Sequence, residues 1–254
     1  MTFDQDSKKQ NDNLVALCVR DVIKEADDVR TFRFDNSEGL LSPHKPGMFV
    51  KVCLNINGDE VWRSFTISSS PLHPERIDFT IKRNHQGEVG NYFFEHIGLG
   101  NEIKIKGPLG QFFYDQDLHT EPVVLLCAGI GITPMMSIAR YLSETKQTIA
   151  CSLFYGARSQ RDLIFDQEAR QLTKQSPGFQ YFLTLSQPSP QWLDDCGHLN
   201  FEYVKSKISQ APLFRYFLCG PGKFNQNFEE QLLAAGVPDT LIHSEQFHKK
   251  RKSK

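Results

Sequence analysis

The hydrophobic rhythm of this chain changes near His119, and that change limits what it can fold into. Up to about Phe113, short runs of period two alternate with turn signals. Val29-Arg30-Thr31-Phe32-Arg33-Phe34 runs into Asp35-Asn36-Ser37, Met48 to Leu54 follows the turn Pro46-Gly47, and Val61 to Ile67 and Ile77 to Lys82 continue the series. Regular short strands of this kind predict an antiparallel β-barrel or sandwich. One helix fits over Val89–Ile97, closed by Gly98-Leu99-Gly100. After His119 the order becomes strand, turn, helix. Val123 to Ala128 is continuously apolar, as in a strand buried on both faces. Further strands are expected at Ile149–Tyr155, Phe179–Leu185, Tyr216–Cys219 and Leu241–Ser244, with helices at Asp166–Leu172, Phe201–Ile208 and Phe224–Ala235. That alternation predicts a parallel sheet covered by helices. The expected fold class is therefore two-domain, an antiparallel β-barrel followed by an α/β parallel-sheet domain. The polar stretch Gln116–Thr120 marks the junction, giving domains over 14–117 and 118–247, a disordered start over 1–13 and a basic tail over 248–254.

Charge and cysteine usage exclude several classes. Lys plus Arg number 29 against 30 Asp plus Glu, so no global basic field points to nucleic acid. The longest apolar stretch, Val123 to Ile130, falls well short of the ~20 residues of a membrane helix. The six cysteines (Cys18, Cys53, Cys127, Cys151, Cys196, Cys219) form no CxxC pair, so no zinc or iron–sulfur site is expected, and a cytoplasmic protein is.

Four segments carry candidate chemistry. Gly129-Ile130-Gly131-Ile132-Thr133-Pro134 leads a strand into a helix; the glycines allow close approach of a ligand, the helix start offers N–H groups to an anion, Thr133 can cap it and Pro134 suits its first turn. Taken alone, such a turn is weak evidence for a ligand, since some serve packing only. Cys219-Gly220-Pro221-Gly222 repeats the logic after a later strand, and ligands of open parallel sheets sit at the carboxyl ends of the strands. In the first half, Arg63-Ser64-Phe65-Thr66 combines a diphosphate clamp, an aromatic cover and hydroxyls, although each residue also reads as an ordinary strand residue. Gly87-Glu88-Val89-Gly90 opens a helix behind the basic pair Lys82-Arg83 and offers another anion site.

Taken in order, Arg63–Thr66, Gly87–Gly90, Gly107-Pro108-Leu109-Gly110, Gly129–Pro134 and Cys219–Pro221, with Glu245-Gln246-Phe247 near the end, resemble the ferredoxin–NADP reductase superfamily over roughly Leu14 to Phe247. The resemblance implies an FAD-binding barrel and an NADPH- or NADH-binding domain, with hydride passing from nicotinamide to flavin N5. By the same resemblance, Arg63 binds the FAD diphosphate with Gly87–Gly90, Phe65 packs beside the flavin, and Thr66 bonds near N5. Gly129–Pro134, Gly220 and Pro221 hold the nicotinamide nucleotide. Cys219 lies near nicotinamide C4, Glu245 is a polar group at the reacting edge, and Phe247 shields the flavin. Two departures stand out: Phe65 replaces the usual Tyr, and Gly90 replaces the usual Ser or Thr. Each removes one hydrogen bond to FAD, worth ~1 kcal/mol.

Nucleotide choice stays open, because Arg158, with Arg161 nearby, suits the 2′-phosphate of NADPH whereas Ser186-Gln187 lacks the arginine of plant-type relatives. The implied acceptor is ferredoxin or a similar carrier protein. The alternatives are the reductase component of an oxygenase or other metalloenzyme, and a non-catalytic electron-relay subunit. The histidines, including His73, His85, His96, His198 and His243, show no ligand spacing, and the tail His248–Lys254 reads as a solvated basic run or a contact for an acidic partner.

Overall fold

The computed structural model describes residues 14–145, 149–208 and 213–245. Its contacts divide between Phe113 and Tyr114 into two compact units. The junction expected at Gln116–Thr120 lies a few residues later in the chain. Tyr114 belongs to the second unit, because it is buried, its hydroxyl donates to the His119 carbonyl at 3.1 Å, and its ring faces Tyr141.

The first unit contains β1 (Leu14–Ala26), β2 (Val29–Asp35), β3 (Phe49–Ile56), β4 (Asp59–Thr66), β5 (Arg76–Lys82), α1 (Glu88–His96) and β6 (Glu102–Leu109). Its six strands form one antiparallel sheet in the order β4-β3-β6-β1-β2-β5. Ile67, just past β4, bridges Phe79 of β5 and draws the two edge strands together, closing the sheet into a barrel. Alternate residues of the strands fill the interior, among them Leu17, Phe32, Phe34, Val50, Val52, Phe79 and Ile105. Polar groups further join β5 to β2 and to the segment after β4. Arg33 on β2 grips Asp78 on β5 with two hydrogen bonds of 3.0 Å, and Thr80 meets both Thr31 and Ser68 through its hydroxyl.

The second unit contains β7 (Val123–Ala128), α2 (Ile132–Glu144), β8 (Cys151–Ala157), α3 (Asp166–Gln175), β9 (Phe179–Leu185), α4 (Phe201–Lys207), β10 (Arg215–Cys219), α5 (Gly222–Ala234) and β11 (Ile242–Glu245). The strands make a parallel sheet ordered β11-β10-β7-β8-β9. Val123–Cys127 at its centre is wholly buried, as the unbroken apolar run requires. All the carboxyl ends of these strands lie along one edge, where both glycine turns fall.

Candidate functional site

Each unit carries its own candidate site. In the barrel, β4 ends in Arg63-Ser64-Phe65-Thr66. Phe65 is half-buried against the core, and its ring meets Phe93 of α1 edge-on at 5.4 Å. Phe93 in turn meets Phe32 at 5.0 Å. This aromatic chain fastens the middle of α1 to the end of β4. No described side chain caps α1 at Gly87, so the first-turn N–H groups stay available to an anion. Gly90 sits tightly packed, since a Cβ there would stand 3.3 Å from Asn84 N and 3.4 Å from Arg83 Cα. Val89 turns into the core and offers only main chain, while Glu88 is exposed.

Arg63 is exposed; its Nη1 donates to the Trp62 carbonyl at 2.9 Å, and among the described residues no carboxylate pairs with it. Beside it lies an open cleft of about 370 Å³ lined by Lys51, Trp62, Arg63, Ser64 and Lys106. Lys51 is the cross-strand partner of both Ser64 and Lys106. Two like charges directly opposite on paired strands repel, and an anion between them removes that cost. Three cations, an indole and a hydroxyl with no acidic residue in the lining fit a phosphate-bearing aromatic ligand such as FAD. Sequence reasoning missed Lys51, Trp62 and Lys106, because strand pairing alone puts them beside Arg63. Thr66 is buried at the foot of the strand, paired with Phe49.

In the α/β unit, the two glycine turns interlock. A Cβ on Gly131 would stand 2.0 Å from the Cys219 carbonyl oxygen and 2.6 Å from its carbon. The missing side chain at Gly131 therefore serves contact between the two turns. Gly129 takes the left-handed conformation at φ +56° with open space where a side chain would be. Thr133 does not cap α2 as expected. A 3₁₀ turn over Gly129–Gly131 precedes the helix, which places Thr133 inside the first turn, and its hydroxyl donates back to the Ile130 carbonyl at 3.0 Å. No side chain caps α2; the Ile132 N–H turns back to the Gly129 and Ile130 carbonyls and Pro134 has no N–H, so an anion here meets the main chain of the glycine turn. Ile132, Thr133 and Pro134 are buried, so this segment presents main chain.

Cys219 is fully buried, and its register partner across β10 and β11 is Glu245. Burial first and the Glu245 carboxylate second push the Cys219 thiol far up, so it stays a neutral thiol. It is thus a small, polarisable surface, with no role as a nucleophile. Gly220 packs against the Phe224 ring, where a Cβ would stand at 2.7 Å. Arg158, just past β8, is exposed, and its Nε lies 3.6 Å from the Asp162 carboxylate. Phe247 and the basic tail fall outside the described residues.

Comparison with known proteins assigns a family to each unit. The family described as an oxidoreductase FAD-binding domain matches residues 16–114, and the oxidoreductase NAD-binding domain matches residues 125–230. The glycine betaine monooxygenase reductase subunit of Chromohalobacter salexigens is 32% identical over 233 residues, covering 91% of this chain and 63% of the relative. The ferredoxin reductase component of 3-ketosteroid-9-alpha-monooxygenase from Mycolicibacterium smegmatis is also 32% identical, over 92% of this chain and 66% of the relative. The chain thus spans somewhat under two thirds of these curated relatives. Among solved structures, the flavohem-like FAD/NAD binding domain of nitric oxide dioxygenase from Vibrio cholerae superposes with a TM-score of 0.80 at 25% identity, covering 91% of this chain and 97% of that one. The chain belongs to the ferredoxin reductase family of flavoprotein oxidoreductases, with an FAD-binding domain followed by an NAD-binding domain. Among the described residues, no helix is long and apolar enough to cross a membrane.

Proposed function

We propose that this chain takes hydride from NAD(P)H onto FAD and delivers the electrons to an oxygenase or other metalloenzyme component, directly or through a ferredoxin-like carrier. The observation that carries the reading is the set of anion-ready features in each unit. In the barrel these features are the cleft at the unpaired Arg63 and the uncapped start of α1; in the α/β unit they are the glycine turn before α2 and the turn beginning at Cys219 packed against it.

FAD supplies N5 as a hydride acceptor and a ring system able to release electrons singly. The protein's part is to bind, orient and exclude water. Arg63, with Lys51 and Lys106, neutralises the phosphates, while Trp62 and Phe65 offer aromatic faces. The main-chain N–H groups at Gly87–Gly90 complete the anion site, and the Thr66 hydroxyl bonds near the flavin's reacting edge. Gly129–Pro134 presents its main chain to the nucleotide phosphates, Gly220 and Pro221 shape the second turn, and Phe247 covers the flavin. Cys219 meets the nicotinamide as a neutral thiol, and Glu245 lends polarity beside it. No step needs a protein acid or base. Arg158 is the candidate contact for the adenosine end of the nucleotide, and its proximity to Asp162 reduces its pull on a 2′-phosphate.

Of the two destinations for the electrons, the oxygenase component is better supported, because both curated relatives are reductase parts of monooxygenases. The free thiols of all six cysteines fit a cytoplasmic setting. The reading is tested by steady-state turnover of the FAD-loaded chain with NADH or NADPH and ferricyanide, then with an iron–sulfur oxygenase component as acceptor. Rapid ferricyanide reduction is expected. A chain that binds FAD yet reduces no acceptor defeats the catalytic reading in favour of a relay subunit.

A further inference from the structure

The strand that ends in Glu245 is four residues long and lies at the edge of its sheet, so among the described residues only β10 supplies it with a ladder. Side chains hold it at both ends. At its start, Arg215 donates to the Thr240 carbonyl at 3.3 Å and meets His243 Nε2 at 2.7 Å. At its far end stands Asn225, fully buried in the first turns of α5. Asn225 Nδ2 donates to the Glu245 carbonyl at 2.7 Å and to Ser244 Oγ at 3.1 Å. Its Oδ1 is also buried and accepts from nothing among the described residues.

A buried carbonyl oxygen without a donor is costly, and an apolar side chain of similar size would avoid that cost. Oδ1 brings no bond here, so what asparagine contributes at this position is the two bonds that Nδ2 makes. Those bonds tie together the two segments that flank the reacting edge. Asn225 lies six residues beyond Cys219 on the helix after the Cys219-Gly220-Pro221 turn, and the carbonyl it holds belongs to the register partner of Cys219.

We infer that Asn225 is a positioning residue for the hydride step: by fixing the Glu245 main chain from α5, it stations the Glu245 carboxylate beside the Cys219 thiol. The inference rests on the reading given under Proposed function. It assigns no contact between Asn225 and the nucleotide. Nδ2 is the working group and Oδ1 is not, so a variant must keep a donor toward the Glu245 carbonyl to keep the geometry.

Two variants separate this role from simple space filling. Asn225→Leu keeps the volume, and Asn225→Asp keeps the shape while its carboxylate has no N–H to donate. In each, the protein without cofactor is treated with iodoacetamide and labelling is followed peptide by peptide. Cys219 is expected to label about tenfold faster than in the unaltered chain, as loss of a hydrogen bond near 1.4 kcal/mol implies, while Cys127 on the neighbouring strand keeps its rate. In the FAD-loaded protein, flavin content is expected to hold while reduction at saturating NADH or NADPH slows by about tenfold. Ser244→Ala, which removes only the longer bond, is expected to stay within about twofold on both readouts. Unchanged Cys219 labelling overturns the inference, and so does labelling of Cys219 and Cys127 that rises together, because that reports loosening of the whole sheet. A labelling change with no change in flavin reduction removes Asn225 from the hydride step. If the unaltered chain is not reduced by either nucleotide, the functional reading fails, and labelling still decides whether Asn225 holds Glu245 in place.

Discussion

In the barrel unit the candidate site consists of exposed side chains on paired strands, whereas in the α/β unit it consists of main chain packed turn against turn. Arg63, Ser64, Lys51 and Trp62 reach solvent, and the barrel core lies beneath them. Gly131, Thr133 and Cys219 are buried, and the Gly131 turn touches the Cys219 carbonyl directly. The difference teaches where each site is vulnerable. A substitution in the first removes a ligand contact and spares the fold. In the second, binding surface and fold are the same atoms, so a substitution damages both.

The largest effect is expected from Gly131→Ala. Its methyl carbon would lie 2.0 Å from a main-chain oxygen, and no rotamer relieves that, so the two turns must separate. A loss of about 3 kcal/mol or more is expected by urea denaturation, at the upper end for overpacking. An unchanged midpoint breaks the claim that the turns share one packed unit. Arg63→Ala comes next and behaves oppositely. FAD affinity should fall on the order of tenfold to a hundredfold in a fluorescence titration, the loss of a charge-assisted contact, while stability moves by less than about 0.5 kcal/mol. Full flavin retention after purification contradicts the assignment of Arg63.

Lys51→Gln sharpens the contrast within the barrel. It removes one of two like charges opposed across β3 and β6. The cofactor-free protein should gain a few tenths of a kcal/mol, roughly 0.3, while FAD binds more weakly. Loss on both counts would mean that Lys51 supports the fold and not the ligand.

The smallest effect concerns pH. His44 in the barrel and His119 in the α/β unit are each held down to about 4, chiefly by burial, with Arg215 adding to the effect at His119. His119 Nδ1 also accepts the Asp115 N–H at 3.1 Å, a bond that protonation would remove. Both histidines are therefore neutral when folded, and the unfolded chain binds protons first, near pH 6.5. Their stabilisation is complete above about 6.5 and is lost as pH falls from there toward 4. The melting temperature should decline between pH 7 and pH 5, and His119→Gln should flatten that decline. A flat profile in the unaltered chain contradicts the burial argument.

Much of the fold was legible because it rests on local periodicity. Alternation set β2 and β5, and the apolar run at Val123–Ala128 set the central parallel strand. β1 and β6 escaped separate notice. The pairing of β1 with β2 shifts register near Val19–Asp21 and Lys24–Ala26, which breaks the alternation, and Gly107-Pro108 interrupts β6. Residues that carry a motif, such as Arg63 and Cys219, could be read directly. Those brought to a candidate site by pairing could not. Lys51 and Lys106 become one feature only once β3 and β6 are joined, and Asn225 gains its partners 19 and 20 residues further along the chain. Thr133 has the right chemistry for a helix cap, but the preceding 3₁₀ turn moves the helix start and leaves its hydroxyl facing Ile130.

The central claim is that one chain holds both FAD and a nicotinamide nucleotide and moves hydride between them. Anaerobic stopped-flow mixing of the FAD-loaded protein with NADH and, separately, NADPH tests it in a single turnover. Rapid loss of the oxidised flavin absorbance is expected with at least one of the two, slowed in Cys219→Ala with FAD still bound. Persistence of the oxidised spectrum with both nucleotides would contradict it.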